Sequence, residues 1–146
     1  MVARFFSALG GITTIFAFVV LLISYANYPD DVLVYVDDVG EPMTYLSKNV
    51  LFYVSLAFIV LINITLIGLR RILKNQAEEM ALTKAGLGII QIFGNLFLGS
   101  SVYFISILNS RENFNYSNFG YLIYASGMLL LVAVLVTVFI RLVLKK

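Results

Sequence analysis

Long stretches without a single charge constrain this chain more than any other feature of its sequence. Four segments contain no Asp, Glu, Lys or Arg and are dense in Leu, Ile, Val and Phe; they cover residues 5–26, 50–69, 85–108 and 120–140. Their lengths are 22, 20, 24 and 21 residues. A helix needs about 20 apolar residues to cross the roughly 30 Å hydrocarbon core of a bilayer. We therefore expect four membrane-spanning helices.

These spans predict an all-α membrane protein, an antiparallel four-helix transmembrane bundle that forms a single domain over residues 1–146. The chain is 61% hydrophobic, and a soluble protein of that composition would expose large apolar patches and aggregate. We expect the first span to remain in the protein, because its apolar run exceeds the roughly 7–15 residues of a signal peptide. The lipid bilayer is therefore the first expected partner.

The distribution of charges between the spans predicts the orientation. One side carries eight cations and a net charge of +6; its cations are Arg4, Arg70, Arg71, Lys74, Lys84, Arg141, Lys145 and Lys146. The other side has a net charge of −4, with only Lys48 and Arg111 as cations. Cytoplasmic loops carry the excess of Lys and Arg. We therefore expect both termini to be cytoplasmic.

The first outer loop, residues 27–49, is the one extramembrane segment with an internal pattern. Its β-branched and aromatic run at 32–36 predicts a strand, and 43–46 predicts a returning strand. A turn rich in Asp, Gly and Pro separates them, so we expect a small extracytoplasmic β-hairpin. Its acidic spacing matches no known Ca²⁺ loop, which favours a solvated acidic face over a metal site. The candidate recognition residues are Asp37, Asp38, Gly40, Glu41, Pro42 and Tyr45.

The same loop carries a resemblance to a known family. The run Tyr28-Pro29-Asp30-Asp31-Val32, then Gly40-Glu41-Pro42 and Ser47-Lys48, resembles the first-loop pattern of DUF1648/SdpI-type membrane proteins over residues 22–55. The chain departs from that pattern at Val34–Val36 and Asp37, where the family has His and Asn. The resemblance implies the loop architecture, and an immunity or sensory role. In general style the chain also looks like small four-span inner-membrane proteins of Bacteroidota, and this resemblance implies a bacterial inner (cytoplasmic) membrane.

Polar residues inside the spans are the first place to seek a functional site in a membrane protein. In the third span, Gly88, Gln91, Asn95 and Gly99 recur at three- to four-residue spacing and share one helix face. Asn63 in the second span adds another amide. Small residues allow helices to approach closely and amides hydrogen-bond between helices, so we favour a packing face over a polar path.

The sequence contains no Cys and no His, and no residue pattern in it matches a catalytic or metal-ligating motif. We therefore expect no enzyme activity, no cofactor and no nucleic-acid partner, and the sequence identifies no small-molecule substrate. The function that we favour is a non-catalytic accessory or structural subunit beside another membrane protein, or a homo-oligomer. Two alternatives remain open: an SdpI-like immunity or sensory protein that uses the outer hairpin, and a small channel or lipid-binding carrier.

Overall fold

The computed structural model describes residues 2–37, 41–73, 80–110 and 116–144. The described elements are four long helices and one short β-hairpin. In chain order they are α1 (Val2–Asn27), β1 (Asp31–Val36), β2 (Pro42–Ser47), α2 (Lys48–Ile72), α3 (Ala81–Leu108) and α4 (Tyr116–Leu144). All four helices are long and apolar enough to cross a membrane. The prediction of four spans is therefore confirmed for helix number, length and composition.

The helices extend beyond the charge-free segments, and several of their ends coincide with residues that cap or terminate helices. Ser47 is the N-cap of α2, and its side chain accepts a hydrogen bond from the Val50 N–H, which satisfies one of the free backbone donors at the start of the helix. Arg70 and Arg71 lie in the last turn of α2, where cations interact favourably with the negative end of the helix dipole. Helix α1 ends at Asn27, two residues before Pro29.

Helix α3 is the centre of the arrangement because it contacts each of the other three helices. Gly88 meets Phe6, and Gly99 meets Ala17, so α3 runs parallel to α1. Gly86 meets the Thr137 side chain and Gly127 faces Phe97, so α4 runs antiparallel to α3. Helices α1, α2 and α3 form a three-helix core, whereas α4 packs mainly on α3.

The peripheral position of α4 refines the predicted four-helix bundle. Helices α1, α2 and α3 each contribute to a shared apolar core of Ala17, Leu21, Ile59 and Val102. Helix α4 contributes no residue to that core, and most of its large apolar side chains between residues 121 and 143 are exposed. In a membrane such a surface faces lipid tails or another apolar helix.

The β-hairpin lies against one end of the three-helix core. Strands β1 and β2 pair antiparallel, with Leu33 opposite Tyr45, which confirms the predicted pair of strands. Strand β1 begins one residue earlier than predicted, and β2 is one residue longer at each end. Val32 is fully buried and packs with Tyr28 and Leu51. Every residue of β2 is exposed.

Candidate functional site

A cluster of buried amide and hydroxyl side chains joins the three core helices. Thr14 comes from α1, Asn63 from α2, and Gln91 and Asn95 from α3. The exposed fractions of the amide residues are 6% for Asn63, 2% for Gln91 and 0% for Asn95. The structure therefore brings together, from two different helices, the three amides that the sequence singled out. We call these four residues the amide cluster.

Asn63 lies at the middle of the amide cluster. Its Nδ2 donates to Asn95 Oδ1 and to the Ile59 carbonyl, each at 2.8 Å. Its Oδ1 accepts from Gln91 Nε2 at 2.6 Å and from Thr14 Oγ1 at 2.7 Å. The Gly10 carbonyl, at 2.8 Å, is the second acceptor within reach of the single Thr14 hydroxyl hydrogen. Both amide hydrogens and the amide oxygen of Asn63 are thus in use. A single side chain of α2 is bound to both α1 and α3.

The remaining donors of the amide cluster are also paired. Gln91 Nε2 donates to Thr14 Oγ1 at 3.2 Å in addition to its bond with Asn63. Asn95 Nδ2 donates to Thr14 Oγ1 at 2.9 Å. A polar network whose members satisfy each other fixes the relative positions of the helices that carry it. This arrangement is that of a clamp between helices.

Arg70 approaches the amide cluster from the end of α2. Its Nη2 donates to Gln91 Oε1, and its Nε lies 3.4 Å from the Leu66 carbonyl. Its Nη1 is buried and has no hydrogen-bond partner in the described part of the chain. From the sequence, Arg70 was expected only to be one of the cations that set the orientation. The missed signal is the seven-residue spacing from Asn63, which places both residues on one helix face.

Two glycines let α1 approach α3 around the amide cluster. A Cβ atom at Gly88 would lie 2.8 Å from the Phe6 Cβ and 3.1 Å from the Phe6 carbonyl carbon. A Cβ atom at Gly10 would lie 2.9 Å from the Gln91 Cδ. Gly99, the other predicted glycine, faces the Ala17 Cα at an ordinary 3.9 Å. The predicted face of α3 is therefore the face that packs on α1.

The outer loop residues are arranged around the hairpin turn. Asp37 and Glu41 bond across the turn: the Asp37 N–H donates to the Glu41 carbonyl, and the Glu41 N–H donates to the Asp37 carboxylate at 2.7 Å. Pro42 is the first residue of β2, and Tyr45 is 55% exposed. The remaining two predicted residues, Asp38 and Gly40, lie outside the described residues.

Two side chains that sequence analysis did not single out hold the hairpin in place. Asn109, just after α3, binds both backbone groups of Leu33: its Oδ1 accepts from the N–H and its Nδ2 donates to the carbonyl, each at 2.8 Å. The Tyr28 hydroxyl donates to the Val102 carbonyl at 2.9 Å. Burial raises the pKa of Tyr28 to about 12, and a hydrogen bond with Ser24 opposes part of that rise. The free edge of β1 is thus occupied by an amide.

A long apolar furrow lies between α1 and α4, with α3 as its floor. The part nearer the hairpin has a volume of about 510 Å³ and the part farther from it about 370 Å³, and Phe93 and Leu129 line both parts. The part nearer the hairpin also contains small residues, Gly99 and Ser100 of α3 and Ala125 of α4. None of the amides of the cluster lines either part.

Acidic side chains do not form a metal site in the part of the chain that the structure describes: no three of them lie close enough together. Asp30 instead pairs with Lys48, at 2.9 Å between carboxylate and ammonium.

No protein-family model, no curated protein and no solved structure matches this chain. Functional inference therefore rests on the geometry of the chain itself.

Proposed function

We propose that this chain is a non-catalytic integral membrane protein that serves as an accessory or structural subunit of a larger membrane assembly, or assembles with copies of itself. The observation that carries the proposal is the amide cluster. Asn63, Gln91 and Asn95 use their hydrogen-bonding groups on each other, on Thr14 and on Arg70. A transport path needs polar groups that are free to bind a passing ion or solute.

The same proposal assigns the contact surface to the furrow. Helices associate in membranes through close van der Waals packing at small residues, since lipid tails are as apolar as the side chains themselves. Gly99, Ser100 and Ala125 lie in the furrow, and the flanking helix α4 is bound mainly by α3. A partner helix placed there would contact α1, α3 and α4 together.

We further propose the orientation that the charges predict, with both termini in the cytoplasm of a bacterium and the hairpin outside. Among the residues that the structure describes, the cations at the helix ends away from the hairpin are Arg4, Arg70, Arg71, Lys84 and Arg141. Lys48 is the one described cation on the hairpin side. This asymmetry supports the orientation through the preference of Lys and Arg for cytoplasmic loops.

The test uses the full chain with a tag at its C-terminus, extracted from its native membrane in a mild detergent. Ala125→Phe fills the furrow, whereas Leu131→Phe places the same ring on the 59% exposed side of the same helix. We expect a stoichiometric membrane partner, or a homo-oligomer by native mass spectrometry, that Ala125→Phe removes and Leu131→Phe retains. A monomer that forms no complex in either form would refute the proposal.

The hairpin supports a second candidate, an SdpI-like immunity or sensory role. Asn109 and Tyr28 hold strand β1 in place, whereas strand β2 exposes Met43 at 62% and Tyr45 at 55%. A rigid support with exposed aromatic and thioether side chains suits recognition of a protein or peptide. Met43→Ser together with Tyr45→Ser abolishes such recognition while leaving the furrow intact. Loss of partner binding in this variant alone would favour the second candidate over the first.

A further inference from the structure

A small pocket lies between α2, α3 and α4, at the end of the molecule away from the hairpin. Its volume is about 200 Å³. Leu73 closes it from the end of α2, Leu87 from α3, and Val134 from α4. Two polar side chains, Thr83 and Arg141, also line it. The pocket therefore combines an apolar wall with a cation and a hydroxyl at the level where membrane helices end.

Thr83 is the first observation that indicates a ligand. The residue is 2% exposed, and its Oγ1 has no hydrogen-bond partner in the described part of the chain. A buried hydroxyl without a partner costs free energy, since it has lost its bonds to water. Thr137, the other hydroxyl at this pocket, is satisfied by the Ala133 carbonyl at 2.7 Å. An oxygen atom of a bound ligand would therefore accept a hydrogen bond from the Thr83 hydroxyl.

Arg141 is the second observation, because it is the cation among the residues that line the pocket. The carboxylates that the structure describes, Asp30, Asp31, Asp37 and Glu41, all lie in or beside the hairpin at the opposite end of the molecule. No described carboxylate therefore neutralises Arg141. Arginine binds phosphate oxygens through charge-assisted, often bidentate, hydrogen bonds.

We propose that this pocket binds the phosphate and glycerol region of an anionic phospholipid. The phosphate oxygens accept from Arg141 and Thr83, and the first methylene groups of an acyl chain contact Leu87 and Val134. Basic pockets between helices at the cytoplasmic face bind anionic lipid headgroups in this way. A free phosphate ion would leave the apolar wall without a partner, which is why a lipid is the occupant. This proposal stands independently of the accessory-subunit role.

The experiment measures lipid binding to the intact, purified chain by native mass spectrometry. Phosphatidylglycerol is titrated against phosphatidylcholine at equal concentration. We expect phosphatidylglycerol to bind more tightly, and Arg141→Gln to weaken it about fivefold, since one cation near the membrane surface contributes about that factor. Arg141→Lys should restore part of the affinity. Arg4→Gln, on the exposed side of α1, is the matched control and should bind like the wild type.

Thr83→Val separates binding from folding. Removing a hydroxyl that has no partner should leave the melting temperature of the lipid-free chain unchanged or raised, while phosphatidylglycerol binding weakens. Equal binding of the two lipids, or wild-type binding by Arg141→Gln, would overturn the proposal. Full competition by inorganic phosphate at the lipid's own concentration would also overturn it, because it would show that the acyl chain makes no contact.

Discussion

Replacing Asn63 by Leu tests whether the amide cluster holds the three core helices together. Leucine has a similar size and shape but no hydrogen-bonding groups. The change removes three short bonds to other helices, at 2.7, 2.6 and 2.8 Å, to Thr14, Gln91 and Asn95. Such bonds contribute on average about 0.6 kcal/mol each in membrane proteins, so together they contribute about 2 kcal/mol.

A second cost arises at Asn95, whose Oδ1 accepts from Asn63 Nδ2 in the native cluster. Asn95 is 0% exposed, and a buried acceptor that loses its donor costs about 1–3 kcal/mol. This larger cost replaces the average contribution of the Asn95 bond, and the other two bonds add about 1 kcal/mol. We therefore expect Asn63→Leu to lower the free energy of unfolding by about 2–4 kcal/mol. A packing face that used only shape would instead tolerate the isosteric replacement.

The assay is a reversible unfolding measurement in bicelles by steric trapping, which is clean here because the chain has no native Cys to compete with introduced labelling sites. Thr65→Leu, on the exposed side of α2, is the matched control and should change stability by less than about 0.5 kcal/mol. A double-mutant cycle with Asn95→Leu should show a coupling of about 0.5–3 kcal/mol. If Asn63→Leu is as stable as Thr65→Leu, the clamp does not exist and the argument for the proposed function fails with it.

Three further predictions concern the hairpin and the contact between α1 and α3. Burial raises the pKa of Tyr28 to about 12 from the ordinary tyrosine value of 10.0. The contribution of Tyr28 to stability is therefore complete below pH 10 and is lost as pH rises through 12. Ultraviolet titration of the wild type should show a late tyrosine that Tyr28→Phe removes. Asn109→Ala removes both bonds to the Leu33 backbone. Because each bond contributes about 0.5–1 kcal/mol, the rate of amide hydrogen exchange in β1 should rise about tenfold. An unchanged exchange rate would show that Asn109 does not hold the hairpin in place. Gly88→Leu forces Phe6 away, because even a Cβ would lie 2.8 Å from the Phe6 Cβ; a melting temperature equal to that of the wild type would show that the two helices do not meet there.

The outer loop shows how far local sequence information reaches. The run of β-branched and aromatic residues at 32–36 and the returning segment at 43–46 are short-range signals, and both strands formed where they predicted. The support of the hairpin was out of reach, since Asn109 is 76 residues away from the Leu33 backbone that it binds. Asparagine also occurs often at the C-terminal end of a helix. The presence of Asn109 after α3 therefore did not by itself indicate a contact with the hairpin.

Arg70 illustrates the opposite limitation in the membrane. Charge counting treats every cation near a span as part of a loop, and that treatment serves for orientation. The structure instead shows the Arg70 guanidinium donating to Gln91 Oε1. Side chains of a helix point back towards its N-terminus, so an arginine in the last turn can reach inwards. Only the positions of α1 and α3 determine whether anything lies there to be reached.

The sequence by itself determined the class of the protein and the number of its spans, because a bilayer requires long apolar helices whatever their neighbours are. It also determined that Gly88, Gln91, Asn95 and Gly99 share a face, because helix periodicity is local. Only the tertiary structure decided which helices meet that face, that α4 lies at the periphery, and that Thr83 and Arg141 line one pocket. In lipid all helix exteriors are similarly apolar, so the choice of neighbours depends on close packing and a few interhelical hydrogen bonds.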